Sequence, residues 1–100
     1  GEAVYFHPEA ATRPAFLEEV ERALRCPAPH DIVAVSAGFD RHEQDWGDLL
    51  ATEDYFAIGK LVKEHALRRC RGRRFGVMEG GYNRAVLGQN VRSFLEGLDD

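Results

Sequence analysis

The chain has 100 residues, of which 44% are hydrophobic and 30% charged, and its formal net charge at pH 7 is −4. A chain of this length can bury one modest hydrophobic core, so it holds at most one domain. No apolar run approaches the roughly 20 residues of a membrane-spanning helix, and no basic and then apolar leader opens the sequence, so a cytoplasmic protein with no membrane partner is expected.

The first half of the chain predicts one helix, one strand and one long loop. Thr12 and Pro14 are typical of a helix start, and apolar residues at helical spacing follow until the Pro-containing segment 26–29. Residues 32–37 form a short, β-rich and nearly unbroken apolar run, which favours a strand covered on both faces. The polar stretch 38–51 is long for a loop of a compact domain, and such loops are often functional.

The second half predicts a helix, a strand, a tight turn and a last helix. Residues 52–54 are typical of a helix start, and an apolar stripe follows as far as an arginine cluster. Residues 75–78 read as a strand, 79–83 as a turn, and 87–98 as a helix. With a possible further strand at 3–6, this alternation predicts an α/β fold with a parallel sheet.

The arginine cluster and the cysteines have plain interpretations. Five arginines near the end of the second helix would keep that end solvated, and their positive charges would interact favourably with the negative end of the helix dipole. They could also bind phosphate or an acidic partner. Cys26 and Cys70 stand 44 positions apart without a CxxC pair, which indicates reduced thiols. The arginines are Arg68, Arg69, Arg71, Arg73 and Arg74.

The first residue is Gly1 rather than Met, so we expect the chain to be a fragment whose natural start lies upstream. A fragment can carry part of a site whose other residues are elsewhere. Two or three strands also leave unpaired edges, and unpaired edges recruit other chains. Self-association of the fragment is therefore expected.

Chemically useful side chains follow each predicted strand. Asp40 and Tyr82 would meet at one edge of a parallel sheet, where such folds bind ligands. A carboxylate can hold a divalent metal, and a phenol can donate to an oxygen that becomes negative, so the pair suggests metal-assisted attack on a carbonyl. The plainer alternatives are a turn-forming aspartate and a packing tyrosine.

Two segments carry a family resemblance. Residues 36–42 (Ser-Ala-Gly-Phe-Asp-Arg-His) resemble a segment of the histone deacetylase superfamily, together with the following 45–47, 50–52 and Tyr55. Residues 79–83 (Glu-Gly-Gly-Tyr-Asn) resemble a second segment of that superfamily. The likeness is to its class II and bacterial acetylpolyamine amidohydrolase and acetoin-utilisation branch, and it is strongest over 31–98. It implies a three-layer α/β sandwich like that of arginase, with residues 1–100 as the C-terminal portion of one domain.

The resemblance also implies an activity and roles. The family hydrolyses acetylated amines, such as acetyl-lysine, acetylpolyamines or related small amides, with one Zn²⁺. Asp40 resembles an aspartate zinc ligand, and Tyr82 resembles the tyrosine that polarises the acetamide carbonyl and stabilises the oxyanion. Gly80 and Gly81 would let backbone approach the acyl tunnel. Asp45 would anchor the loop that carries Asp40, or would merely cap a turn.

Some features depart from the family pattern. Arg41 and Trp46 stand where relatives commonly have a small residue and a proline, which leaves the substrate open. The family's Asp-x-His ligand pair and tandem His-His base do not occur in this sequence, so we expect the fragment alone to be inactive. The four histidines are isolated from one another along the chain and are interpreted as surface or packing residues: His7, His30, His42 and His65.

Two hypotheses of a noncatalytic function remain open. A Gly-Gly turn before a helix could cradle phosphate in a nucleotide-binding or anion-binding module, although the GxGxxG and GK[ST] spacings are missing. The other hypothesis is a module that binds an acetylated ligand without hydrolysing it. No nucleic-acid partner is expected.

Overall fold

The computed structural model describes residues 10–25 and 29–99. The predicted strand at 3–6, His7 and Cys26 lie outside the described residues. No helix in the described ranges is long and apolar enough to cross a membrane. The elements, in chain order, are helix α1 (Arg13–Ala23), strand β1 (Val33–Gly38), a 3₁₀ helix (Phe39–Arg41), helix α2 (Thr52–Arg69), strand β2 (Arg74–Glu79) and helix α3 (Arg84–Asp99).

The two strands pair in parallel, with Val33 opposite Arg74 and Gly38 opposite Glu79. Helix α2 forms the connection between them, as parallel pairing requires. The predicted α/β fold with a parallel sheet is therefore confirmed, and both strand predictions agree with the structure to within one residue at each end.

Helices α2 and α3 cover one face of this sheet. Val35 pairs with Gly76, and a Cβ atom at Gly76 would lie 2.9 Å from the ring of Phe94 in α3. Glycine at this position therefore lets the helix approach the strand closely. The described residues form two layers, one of helices and one of strands.

The other face of the sheet is open. Ala34 and Ser36 are exposed, and their partners Phe75 and Val77 are each 47% exposed. The expectation that β1 is covered on both faces is wrong for the described residues, because both long helices pack on the same side. The sequence run is apolar, but only every second residue of it is protected from water.

The loop between β1 and α2 is less polar in its packing than its sequence indicates. Phe39 and Leu50 are only 2% and 1% exposed. The Phe39 ring lies 5.0 Å from that of Tyr55 and meets Phe94 edge-on at 5.9 Å, between centroids. The loop is thus fastened into the main core at both ends.

Capping explains where the first two helices begin. Thr12 accepts a hydrogen bond from the Ala15 amide at 3.4 Å, which confirms the predicted cap of α1. At the start of α2, Asp54 accepts from the Ala51 amide at 2.8 Å and also forms a 2.7 Å ion pair with Arg13. One buried carboxylate therefore caps α2 and attaches α1 to it.

The arginine cluster has a structural role at one position. Arg74 donates to the carbonyl oxygens of Leu98 and Asp99 at 2.7 Å each. Arg68 and Arg69 occupy the last turn of α2. These contacts favour the interpretation that arginines satisfy helix ends, and Arg74 does so for α3 rather than for α2.

Glycines allow α2 and α3 to cross at backbone contact. A Cβ atom at Gly97 would clash with the Phe56 carbonyl oxygen, and one at Gly59 would clash with the Phe94 carbonyl oxygen. Because both obstacles are backbone atoms, neither can move aside as a side-chain tip would.

We expect Gly97→Ala to lower the free energy of unfolding by about 2 kcal/mol, since the added methyl group forces the two helices apart. Gly88→Ala on the same helix is the matched control. It meets no atom within 4 Å, and it should stabilise the protein by about 0.5–1 kcal/mol. Urea denaturation followed by circular dichroism measures both. Equal effects would contradict the close crossing.

Candidate active site

The carboxyl ends of β1 and β2 bring two predicted site residues into contact. Asp40 follows β1, Gly80 follows β2, and a Cβ atom at Gly80 would lie 2.8 Å from Asp40 Oδ1. Gly80 also has φ 67°, a left-handed conformation that favours glycine. Glycine at position 80 therefore both turns the chain and leaves space for the Asp40 carboxylate.

The Asp40 carboxylate is half-buried and receives no hydrogen bond from the described residues. Beneath it, the Tyr55 hydroxyl donates to the Gly38 carbonyl oxygen at 3.0 Å. Burial, followed by the charges of Asp40 and Asp45, raises the pKa of Tyr55 well above its usual range. Tyr55 therefore remains a protonated donor that holds the end of β1.

Asp45 connects the two loops of this edge. Its Oδ2 accepts from the amides of Tyr82 and Asn83 at 2.8 Å each, and its Oδ1 accepts from the Trp46 amide at 2.7 Å. Burial would raise the pKa of Asp45, but these three donors outweigh it and the pKa is lowered. Asp45 thus shapes its own turn and also holds the loop after β2.

Tyr82 lies beside Trp46 at the surface. The Tyr82 residue is 64% exposed, and its ring meets that of Trp46 edge-on with 6.0 Å between centroids. Asn83 Nδ2 donates to the Gln44 carbonyl oxygen at 2.6 Å. Together with Asp45 these residues line a shallow depression at the edge of the sheet.

Gly81 makes space for the core. Its φ is 100°, and a Cβ atom there would lie 2.6 Å from Leu87 Cδ1 and 3.2 Å from Phe39 Cβ. Packing therefore explains why positions 80 and 81 are both glycine, because a Cβ atom at either one would collide with a neighbouring side chain. Their approach to an acyl tunnel stays a prediction.

His42 is a packing histidine, as interpreted from the sequence. It is 4% exposed, and its Nδ1 accepts from the Gln44 amide at 3.1 Å. Its Nε2 therefore carries the proton and donates to Thr52 Oγ1 at 3.1 Å, and that hydroxyl donates to Asn90 Oδ1 at 2.6 Å. This chain of hydrogen bonds fastens the loop to α2 and α3.

A second cluster lies at the opposite edge of the sheet. His30 Nε2 and His65 Nε2 are 2.7 Å apart, and Cys70 is close to both. Burial, then His30, Arg68 and Arg69, lower the pKa of His65, while burial raises the pKa of Cys70. His30 and His65 are distant along the chain but in contact in the fold, because the crossover brings the end of α2 beside the residues before β1. The burial of His65 fits its interpretation as a packing residue.

Comparisons of the sequence with known proteins give matches to one family. Residues 7–98 match the family model described as "Histone deacetylase domain". The "Type-2 histone deacetylase 2" of Dictyostelium discoideum is 47% identical over 78 residues, which cover 69% of this chain and 5% of that protein. The "Probable deacetylase" of Methanothermobacter thermautotrophicus is 37% identical over 71 residues, which cover 69% and 20%.

A plant relative matches over a longer range. The "Histone deacetylase 10, chloroplastic" of Oryza sativa subsp. japonica is 36% identical over 91 residues, which cover 85% of this chain and 20% of that protein. The chain thus spans between 5% and 20% of the length of these three relatives. No solved structure matches.

Proposed function

Because the chain belongs to the histone deacetylase family, we propose that it supplies the C-terminal part of the catalytic site of a zinc-dependent amidohydrolase. The substrates are acetylated amines such as acetyl-lysine, an acetylpolyamine or a related small amide, and the products are acetate and the free amine. The observation that carries the proposal is the pair of 2.8 Å hydrogen bonds from residues 82 and 83 to Asp45. They join the loop of Asp40 to the loop of Tyr82.

Asp40 is the residue that would hold Zn²⁺. Its half-buried carboxylate faces the space left by Gly80, and no described residue donates to it, which suits a ligand oxygen. Zinc bound there would polarise the acetamide carbonyl and lower the pKa of water. Catalytic zinc sites use three protein ligands, so the other two come from outside this edge of the described chain.

Tyr82 would act on the amide oxygen. Its side chain is exposed, and Asp45 fixes its backbone, so the hydroxyl is presented from an anchored loop. A donor held in place before reaction stabilises negative charge on the amide oxygen without a reorganisation cost. Trp46 beside the ring is in a position to contact the substrate outside the acetyl group.

The test is acetate release by the full-length protein from an acetyl-lysine peptide and from an acetylpolyamine, with zinc content measured in parallel. Turnover that disappears on chelation and returns with Zn²⁺ is expected. Binding of an acetylated ligand without acetate release would favour the noncatalytic module, and binding of inorganic phosphate alone would favour the anion-binding module.

The 100-residue chain by itself should release no acetate. Asp40 alone cannot supply three zinc ligands, and the sequence contains no tandem histidine pair to act as a base. The same acetate assay on this chain checks the expectation. Turnover by the 100-residue chain would contradict the proposal that it supplies only part of the catalytic site.

We propose that this chain self-associates when it is isolated. Phe75 and Val77 are each 47% exposed on the open face, and each described strand has one unpaired edge. Such edges pair with other chains. Sedimentation velocity at micromolar concentration measures this, and a monodisperse monomer would contradict it.

A cytoplasmic location is also part of the proposal. The buried Cys70 is a free thiol, which suits a reducing compartment. Cell fractionation tests it. Recovery in an organelle, as the name of the rice relative indicates for that protein, would overturn it. We further propose that nucleic acid is not a partner.

A further inference from the structure

We propose that His30, His65 and Cys70 form a second metal site, which takes a borderline-soft divalent cation of the zinc type. The two imidazoles and the thiol each offer one ligand atom, and these three atoms all lie within 4.8 Å of one another. Imidazole nitrogen and thiolate sulfur are the donors that Zn²⁺ prefers, whereas Ca²⁺ and Mg²⁺ prefer oxygen. The donor set therefore selects the class of metal.

This site is separate from the proposed catalytic edge. His30 precedes β1 and Cys70 precedes β2, while Asp40 follows β1. A six-residue strand lies between the two positions, and at about 3.3 Å per residue it separates them by roughly 20 Å. One ion cannot serve both, so the inference does not depend on the proposed function.

Burial distinguishes this cluster from a chance group of surface side chains. His65 and Cys70 are each 2% exposed, and His30 is partly exposed. A buried thiol and a buried imidazole whose ligand atoms lie this close together leave a metal little competition from water. The partly exposed side at His30 gives the ion an entry path.

Hydrogen bonding orients His65 as a ligand. Its Nε2 faces the Nε2 of His30 at 2.7 Å, and the ring also forms a hydrogen bond to the backbone of Leu24. Metal-binding histidines characteristically donate their second N–H to a carbonyl or carboxylate, which fixes the tautomer. A His65 ring that donates its Nδ1–H in this way would leave the Nε2 lone pair for the metal.

Metal binding requires the three ligand side chains to rearrange. With zinc–nitrogen bonds of about 2.0–2.1 Å in a tetrahedral arrangement, two ligand nitrogens stand roughly 3.3 Å apart. The present separation of 2.7 Å therefore has to open by a fraction of an ångström, and the two rings, which now meet nearly head to head with 4.9 Å between centroids, have to turn toward the ion. Cys70 loses its thiol proton to solvent on binding, and the resulting thiolate takes the ion.

Cobalt substitution tests the site on the full-length protein, because thiolate-to-cobalt charge transfer absorbs in the near ultraviolet only when sulfur is a ligand. We expect Co²⁺, added in sufficient amount to fill both proposed sites, to produce this band and Zn²⁺ to displace it. Asp40→Asn is the matched control: it removes the proposed catalytic ligand and should leave the band intact. Cys70→Ser should abolish the band, and His65→Gln should weaken Co²⁺ binding by about 100-fold or more.

Three results would overturn the proposal: no thiolate band in the unmodified protein, a band that survives Cys70→Ser, or unchanged Co²⁺ affinity in His65→Gln. The first leaves the 2.7 Å contact as a simple hydrogen bond between two imidazoles. X-ray absorption of the zinc-loaded unmodified protein needs no variant, so it decides the matter if a substitution prevents folding. A sulfur shell at about 2.3 Å is expected, and its absence would overturn the site while leaving deacetylation untouched.

Discussion

Tyr82→Phe in the full-length protein is expected to lower kcat for deacetylation by about 100-fold or more, because removal of a single oxyanion donor costs this much in other enzymes. The substitution removes one oxygen from an exposed side chain and leaves the backbone hydrogen bond to Asp45 in place. Steady-state kinetics should show the loss in kcat with little change in KM. An unchanged kcat would mean that Tyr82 only packs against Trp46.

Tyr55→Phe provides the contrast. The Tyr55 hydroxyl is buried and donates to the Gly38 carbonyl oxygen at 3.0 Å. Its removal should lower the free energy of unfolding by about 1 kcal/mol, since that carbonyl loses its donor. Tyr82→Phe should leave the unfolding free energy unchanged. Tyr82→Phe should thus change kcat and not stability, whereas Tyr55→Phe should lower stability. This contrast distinguishes a hydroxyl that donates to the substrate from one that donates to the protein backbone.

Asp40→Asn is expected to abolish detectable deacetylation and to weaken zinc binding at the catalytic edge by more than about 100-fold. The neutral amide cannot replace the anionic oxygen, and ligand loss should exceed the 10-fold to 100-fold cost of losing a supporting hydrogen bond. Zinc titration against a chelating indicator, together with acetate release, measures both effects.

Asp48→Asn is the matched control for this experiment. It makes the same chemical change in the same loop, and residue 48 has φ 45°, a conformation that asparagine accepts well. Activity and zinc content should therefore stay at the level of the unmodified protein. Equal losses in the two variants would show that the loop tolerates no charge change, and that Asp40 is not a ligand.

Local signals in the sequence predict the elements well, because periodicity and capping act over a few residues. The start of α2 is an instructive exception. Helix α2 begins at Thr52 as predicted, but Asp54 accepts from the Ala51 amide, while the Thr52 hydroxyl points to Asn90 in α3. The Thr52 hydroxyl, which could cap its own helix, instead donates a hydrogen bond to the buried Asn90 of another helix.

Contacts between distant residues could not be predicted in this way. His30 and His65 are 35 positions apart, and Asp45 and Tyr82 are 37 apart. No spacing rule relates such pairs, because only the parallel crossover determines which loop ends meet. The resemblance to a family points to Asp40 and Tyr82, but it gives no indication of the cluster at Cys70.

The hold of Asp45 on the second loop has a consequence for how sequences at this edge can diverge. Asp45 binds the amides of residues 82 and 83, and an amide is the same whichever non-proline side chain it carries. The residue at position 82 can therefore be exchanged during evolution or by protein engineering without releasing the loop. Asp45 has no such freedom, since both amides depend on one oxygen atom. New reactivity at this edge can thus arise by single substitutions at position 82.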